Sequence, residues 1–171
     1  MPMFVSSLKD DISVATVSRI FETTPPDVVL NATGFAVSSP GADRKPTILE
    51  STGATVIQIV LSSSDEKTWQ KSAQGLNARD LAMNVALPEV DGRVFSRAIS
   101  FKSAEVFDDA VQCNIVTHKP VDDRVRFVAD LASGWARLRR AEPSGRRTAI
   151  VLANYPNRDG RLANGVGLDT P

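Results

Sequence analysis

The run Ala54–Leu61, ATVIQIVL, is rich in β-branched residues and carries no charge. A strand with one wet face alternates apolar and polar residues. A strand of this composition must be covered on both faces, as in a parallel sheet with layers of other structure above and below it. Two further runs read the same way. Asp27–Thr33, DVVLNAT, is a short apolar run that stops at Gly34, and Thr148–Ala153, TAIVLA, follows a Pro143-Ser144-Gly145 turn. Arg93–Phe101, RVFSRAISF, alternates loosely and reads as a strand, and Asn114–Thr117 reads as another short one.

Helical spacing fills the gaps between these runs. Residues 9–22 carry Ile12, Val14, Val17, Ile20 and Phe21 at helical intervals, with Asp10 or Asp11 as the N-cap. Pro25 and Pro26 end that helix and push Thr24 toward extended geometry. Pro46–Ser51 reads as a short helix. Ser64 caps a helix through about Gln70 or Ala73, with Glu66 pairing Gln70 and Trp69 facing inward. Asn77 caps another, Ala78–Leu87, ended by Pro88. From Val121 the helical pattern is the strongest in the chain. Val121, Val125, Val128, Leu131 or Ala132, Trp135 and Leu138 share one face, and Arg124, Asp130, Arg137 and Arg140 lie off it. Cations crowd its last turn, where they meet the exposed carbonyls.

Alternating strands and helices predict an α/β fold, layered, with a mainly parallel sheet flanked by helices. The expected division is an α/β domain over 1–145, then a strand and a glycine-rich loop over 146–171 that begin a further domain. The length fits one domain or one and a half. A 42% hydrophobic, 23% charged composition allows a packed core. Twenty basic residues balance twenty acidic ones, so no net field draws the chain toward nucleic acid or an anionic membrane. One cysteine, Cys113, permits no internal disulfide. No apolar stretch reaches the roughly 18–20 residues that span a bilayer, and MPMFVSSLKDD lacks the apolar centre of a signal peptide. The expected compartment is the cytoplasm.

In open α/β sheets, ligands gather outside the carboxyl ends of the strands. Two strand ends here are unusually polar: Asn31-Ala32-Thr33-Gly34-Phe35, and Asn154-Tyr155-Pro156-Asn157-Arg158-Asp159-Gly160-Arg161, continuing to Asn164 and Asp169. Turn chemistry alone also accounts for these residue types, since Asn, Asp and Gly suit positive φ. Gly160 and Gly165 have phosphate-loop spacing, but Val166 and Gly167 stand where Lys and a hydroxyl residue belong, so nucleotide binding is not expected. His118 and Cys113, five apart, fall short of the four ligands of a structural zinc site. They read as a buried free cysteine and a satisfied or exposed histidine. No G-x-S-x-G is present, and Asp108-Asp109 and Asp122-Asp123 read as caps and solvated faces.

Three runs carry a resemblance. Ile150–Pro171 (IVLANYPNRDGRLANGVGLDTP), Ser72–Arg93 (SAQGLNARDLAMNVALPEVDGR) and Asp27–Phe35 (DVVLNATGF) are similar to segments of the CobN family, the large tetrapyrrole-binding subunits of ATP-dependent cobaltochelatases. RVRFVADLASGWARLRR resembles the helix before the family's signature. The likeness runs from about Thr24 to Pro171, and residues 1–23 are the least diagnostic. The magnesium chelatase H subunit is a more distant relative, which shares the strand end and the ALPEVDG-like segment but departs from NYPNRDGR.

The resemblance implies an internal piece of a much longer, multidomain subunit. In that family Co²⁺ is inserted as substrate into hydrogenobyrinic acid a,c-diamide, a step of cobalamin biosynthesis. ATP and Mg²⁺ act on partner subunits, one an AAA+ ATPase, and this segment is expected to bind no cofactor, nucleic acid or membrane. The substrate-binding residues it implies are Asn31, Thr33, Gly34, Asn154, Tyr155, Asn157, Arg158, Asp159, Arg161, Asn164 and Asp169. Arg158 and Arg161 would pair with carboxylates of the macrocycle, the asparagines with its amides, and Asp159 or Asp169 would accept a proton or hand over the metal. The family's His- and Glu-bearing catalytic region has no counterpart here. A self-sufficient small-molecule module and a structural or docking segment remain the alternatives.

Overall fold

A computed structural model of the chain describes residues 2–38 and 46–151, and for residues 104–106 the backbone alone. The chain divides into two units, Met1–Arg140 and Ala141–Pro171. The first begins with helix α1 (Asp11–Thr23), whose N-cap is Asp10; its carboxylate accepts the Ser13 N–H at 2.9 Å. Strand β1 (Val28–Asn31) follows, then a 3₁₀ turn (Ile48–Glu50) and strand β2 (Thr55–Ser62). Helices α2 (Glu66–Lys71), α3 (Ala78–Leu81) and α4 (Leu87–Val90) lead to strand β3 (Val94–Asp108). Strand β4 (Cys113–Pro120) and helix α5 (Asp122–Arg140) complete the unit.

The four strands form one sheet in the order β1-β2-β3-β4. β1 and β2 are parallel, as are β2 and β3, and only β4 runs antiparallel, so the sheet is mainly parallel as expected. Val56, Ile57 and Gln58 are buried in succession on β2. Consecutive side chains point to opposite faces, so both faces are covered there, as the uncharged run required. The apolar centre is Val60, Ala98 and Phe101, with Trp69, Leu76, Val85 and Val121 packed against it. The Trp69 and Phe101 rings lie 4.9 Å apart, in the range of favourable aromatic pairs.

Several expectations need correction. The α2 cap is Asp65, which accepts the Thr68 N–H at 2.9 Å, and not Ser64. Pro88 does not end its helix. The chain passes from α3 through a π-helical turn (Ala82–Ala86) into α4, with Pro88 buried in α4. β3 and β4 extend well beyond the expected 93–101 and 114–117, because each supplies the other's hydrogen bonds as a hairpin. Cys113, expected buried, is exposed on β4, an edge strand whose residues are almost all exposed.

On α5 the buried positions are Val128 and Ala132, while Val125 and Leu138 face outward. Arg124, expected off the apolar face, is turned inward. Its Nε donates to the Ala98 carbonyl and its guanidinium lies 4.6 Å from the Trp69 ring centre. A long apolar stem with a flat, weakly hydrated cation allows this, which a hydrophobic count misses. In the second unit the described residues hold a 3₁₀ turn (Pro143–Gly145). Thr148–Val151 form no strand, and Ile150 and Val151 are exposed. β-Branched residues make a strand only by pairing with a neighbour, and the four-stranded sheet does not include them. Residues 152–171 lie outside the described residues.

Candidate functional site

The carboxyl end of β1 opens into a turn held by buried polar groups. Asn31 is buried, and its Nδ2 donates to Gln58 Oε1 at 2.6 Å and to the Thr33 carbonyl at 3.0 Å. Thr33 Oγ1 returns a bond to Asn31 Oδ1 at 2.9 Å. The Thr33 carbonyl also receives Gln58 Nε2 at 3.1 Å and Arg93 Nη1 at 3.3 Å. Gln58 is the one amide side chain in ATVIQIVL, and a buried amide of this kind must find partners. It finds them across the β1–β2 pair, opposite Asn31.

Arg93 is buried beside Asp91, with Nη2 donating to Oδ2 at 3.0 Å. The Asp91 carboxylate also accepts the backbone N–H groups of Val37, at 2.7 Å, and Ser38, at 2.9 Å. Burial alone would raise the Asp91 carboxyl, but the two amides and the Arg93 charge outweigh it and hold it below the usual value. Burial lowers Arg93, with Asp91 opposing.

Gly34 and Phe35 dock onto the π-helical turn. There the Leu87 N–H bonds the Ala82 carbonyl, five residues back. The same spacing would give the Met83 carbonyl the N–H of residue 88, which is Pro88 and has none. The Phe35 N–H takes that place at 2.8 Å. A Cβ on Gly34 would stand 2.9 Å from Asn84 Oδ1 and 3.0 Å from the Met83 carbonyl oxygen. The glycine therefore serves close approach. The positive φ expected of it falls on Phe35, at 65°, a strained conformation for an aromatic residue. The Phe35 ring is 60% exposed although the chain is fixed around it.

This turn divides two clefts. One, of about 430 Å³, is bordered by Val5–Lys9 and Arg93. The other, of about 260 Å³, lies beyond the carboxyl ends of β1 and β2 and includes Gly34, Phe35, Ser63, Arg79, Lys102 and His118. Its floor is ordered by Asp80, a buried carboxylate that accepts Ser62 Oγ at 2.9 Å, the Ser63 N–H at 2.8 Å and Asn77 Nδ2 at 3.2 Å. Asn77, the expected cap of α3, accepts the Asp80 N–H at 2.8 Å. Among the described residues no cluster of three metal-ligating side chains occurs, and no helix is long and apolar enough to cross a membrane.

The structure thus brings Asn31, Thr33 and Gly34 together at one strand end. Asn154, Tyr155, Asn157, Arg158, Asp159, Arg161, Asn164 and Asp169 lie outside the described residues. The sequence reading missed Gln58, Arg93 and Asp91 as supports of the turn, and Arg79, Lys102 and Asp80 around the cleft. An amide inside an uncharged strand run was the available signal for Gln58. Lys102 and His118 carried none, because their meeting depends on hairpin register.

Fold and site together define a layered α/β segment that presents a braced polar turn beyond the ends of parallel strands. The chain belongs to the CobN/Magnesium Chelatase family, whose model matches residues 1–171. It is 67% identical over 171 residues to the aerobic cobaltochelatase subunit CobN of a Sinorhizobium species, covering all of this chain and 13% of that protein. The corresponding subunit of Pseudomonas aeruginosa is 42% identical over 171 residues, with 14% of its length covered. The solved catalytic subunit of cobaltochelatase from Mycobacterium tuberculosis superposes with a TM-score of 0.74 at 26% identity, over 96% of this chain and 14% of that one. The likeness includes residues 1–23, which the motifs did not reach. The chain spans about one seventh of these relatives' length, 13% and 14% in the two curated subunits.

Proposed function

We propose that this chain is part of the tetrapyrrole-binding subunit of a cobaltochelatase, and that the turn after β1 forms part of the wall around the macrocycle. The observation that carries the reading is Phe35. An exposed aromatic ring stands in a strained backbone conformation at the junction of two clefts, beyond the ends of parallel strands, in a chain of this family. Strain of this sort persists where surrounding structure enforces it, and it clusters at ligand sites. A flat macrocycle offers a large apolar face, and a fixed aromatic ring is a suitable surface to receive it.

Asn31 and Thr33 contribute by holding the turn, since their polar atoms are occupied within it. Gly34 contributes by letting the turn reach the π-helical segment. The second polar run, with Asn154, Tyr155, Asn157, Arg158, Asp159, Arg161, Asn164 and Asp169, would supply further contacts to the ligand. Its arginines would face carboxylates of the ligand and Asp159 or Asp169 would take a proton or pass on the metal. Insertion requires the ring nitrogens to shed protons while Co²⁺, the substrate ion, sheds water. In this reading the tetrapyrrole is hydrogenobyrinic acid a,c-diamide, ATP and Mg²⁺ are handled by AAA+ partner subunits, and the assembly works in the cytoplasm.

Phe35→Ala, placed in the full-length subunit, is expected to weaken tetrapyrrole binding by about tenfold, the loss of one stacked ring contact of roughly 1–1.5 kcal/mol. Fluorescence titration with the metal-free corrin measures this. Arg161→Ala and Asp159→Ala should lower affinity and cobalt insertion respectively. Unchanged affinity and insertion in all three variants would remove these turns from the site.

A further inference from the structure

The smaller cleft gathers basic side chains without an ion-pair partner among the described residues. Arg79, from α3, Lys102, from β3, and His118, from β4, all line it. Lys102 and His118 are direct partners in the antiparallel β3–β4 register, so their side chains leave the same face of the sheet. None of the three side chains makes a hydrogen bond or ion pair with another described residue. The carboxylate at the floor does not answer them. Asp80 is buried and engaged by Ser62, Ser63 and Asn77. The three side chains are exposed, and an arginine, a lysine and an imidazole lining one cleft without a described anionic partner favour an anion beside them.

Size decides what anion. Sites that enclose a drug-sized molecule run from about 300 to 1,000 Å³. A cleft of about 260 Å³ is too small for a macrocycle and large enough for an acid-bearing arm. We infer that this cleft binds a peripheral carboxylate of the tetrapyrrole, with Arg79 and Lys102 as charge partners and His118 as an N–H donor. The inference rests on the proposed tetrapyrrole wall and names which chemical group of the ligand this part of the wall reads. It predicts discrimination between ligands with free acid arms and ligands with the same arms amidated, because a neutral amide gains little from a cation.

The test uses the full-length subunit carrying Arg79→Gln together with Lys102→Gln, and separately His118→Gln. The probes are a metal-free corrin with free side-chain acids, the same corrin fully amidated, and citrate as a small polycarboxylate. The double variant should lose about tenfold or more in affinity for the acid corrin, as expected for loss of a charge-assisted contact. Its affinity for the amidated corrin should stay within about twofold of the parent subunit's. Citrate should compete with the acid corrin on the parent subunit and fail to do so on the double variant. Equal losses for acid and amidated corrin, or no loss for either, would overturn the inference while leaving the tetrapyrrole wall standing. Citrate binding that depends on Arg79 and Lys102, in a subunit that binds no corrin, would support an acid-reading cleft and remove the tetrapyrrole reading. The His118→Gln variant, which keeps an N–H donor, should retain most of the acid preference. Loss of that preference as large as in the double variant would overturn the role given to the imidazole.

Discussion

The buried Asp91 carboxylate receives the amides of the half-buried Val37 and Ser38 and faces the buried guanidinium of Arg93. Asp91→Ala would leave Arg93 buried without its partner, at a cost of about 3–5 kcal/mol. Chemical denaturation measures it. The same group gives the turn a pH dependence of definite sign. Its folded carboxyl is held below the ordinary value near 4, so its contribution is complete above about pH 4 and fades as pH falls through the lower folded value. Acid should therefore loosen Phe35–Ser38, and in Asp91→Asn this acid step should disappear. None of this was legible at the residue scale from sequence. Asn31, Thr33 and Gly34 stood out as polar residues after an apolar run, but Gln58, Asp91 and Arg93 are separated from them by many residues and meet them only through strand pairing.

At the scale of elements, the uncharged run over β2 and the cap at Asn77 were readable because each depends on neighbours in sequence. The continuation of helix past Pro88 was not. Proline has no N–H to give the Met83 carbonyl at the π-helical spacing, and the turn after β1, far away in the chain, supplies a donor there through Phe35. Pro88→Ala restores an N–H at that position, which would compete with Phe35 for the Met83 carbonyl. The expected result is more rapid chymotryptic cleavage after Phe35 with little change in total helix by circular dichroism. Unaltered cleavage would show that the turn is held without the π-helical segment. The inward Arg124 was hidden for a related reason, since helical periodicity sorts residues by polarity and not by stem length.

For the molecule as a whole, stability should concentrate in the sheet centre and not in its charged rim. Phe101 is 1% exposed and packs on Trp69, so Phe101→Ala should cost about 3–5 kcal/mol. The ion pairs of Asp27 with Arg139 and Arg140 lie at the surface, between the start of β1 and the end of α5. Asp27→Asn should move the denaturation midpoint little, and less still in high salt, where exposed charges are screened. The layered, mainly parallel arrangement followed from sequence because runs of uncharged β-branched residues have few other solutions. The length of the β3–β4 hairpin did not, because exposed edge positions on β4 mix polar and apolar residues without a period.

The Phe35 amide has one further consequence. Its hydrogen is locked to a helix carbonyl although it belongs to a segment with no regular structure of its own. In heavy water it should trade its proton for deuterium far more slowly than an open turn would. That single slow site would serve as a built-in gauge of whether the strand end and the helix beyond it are still joined.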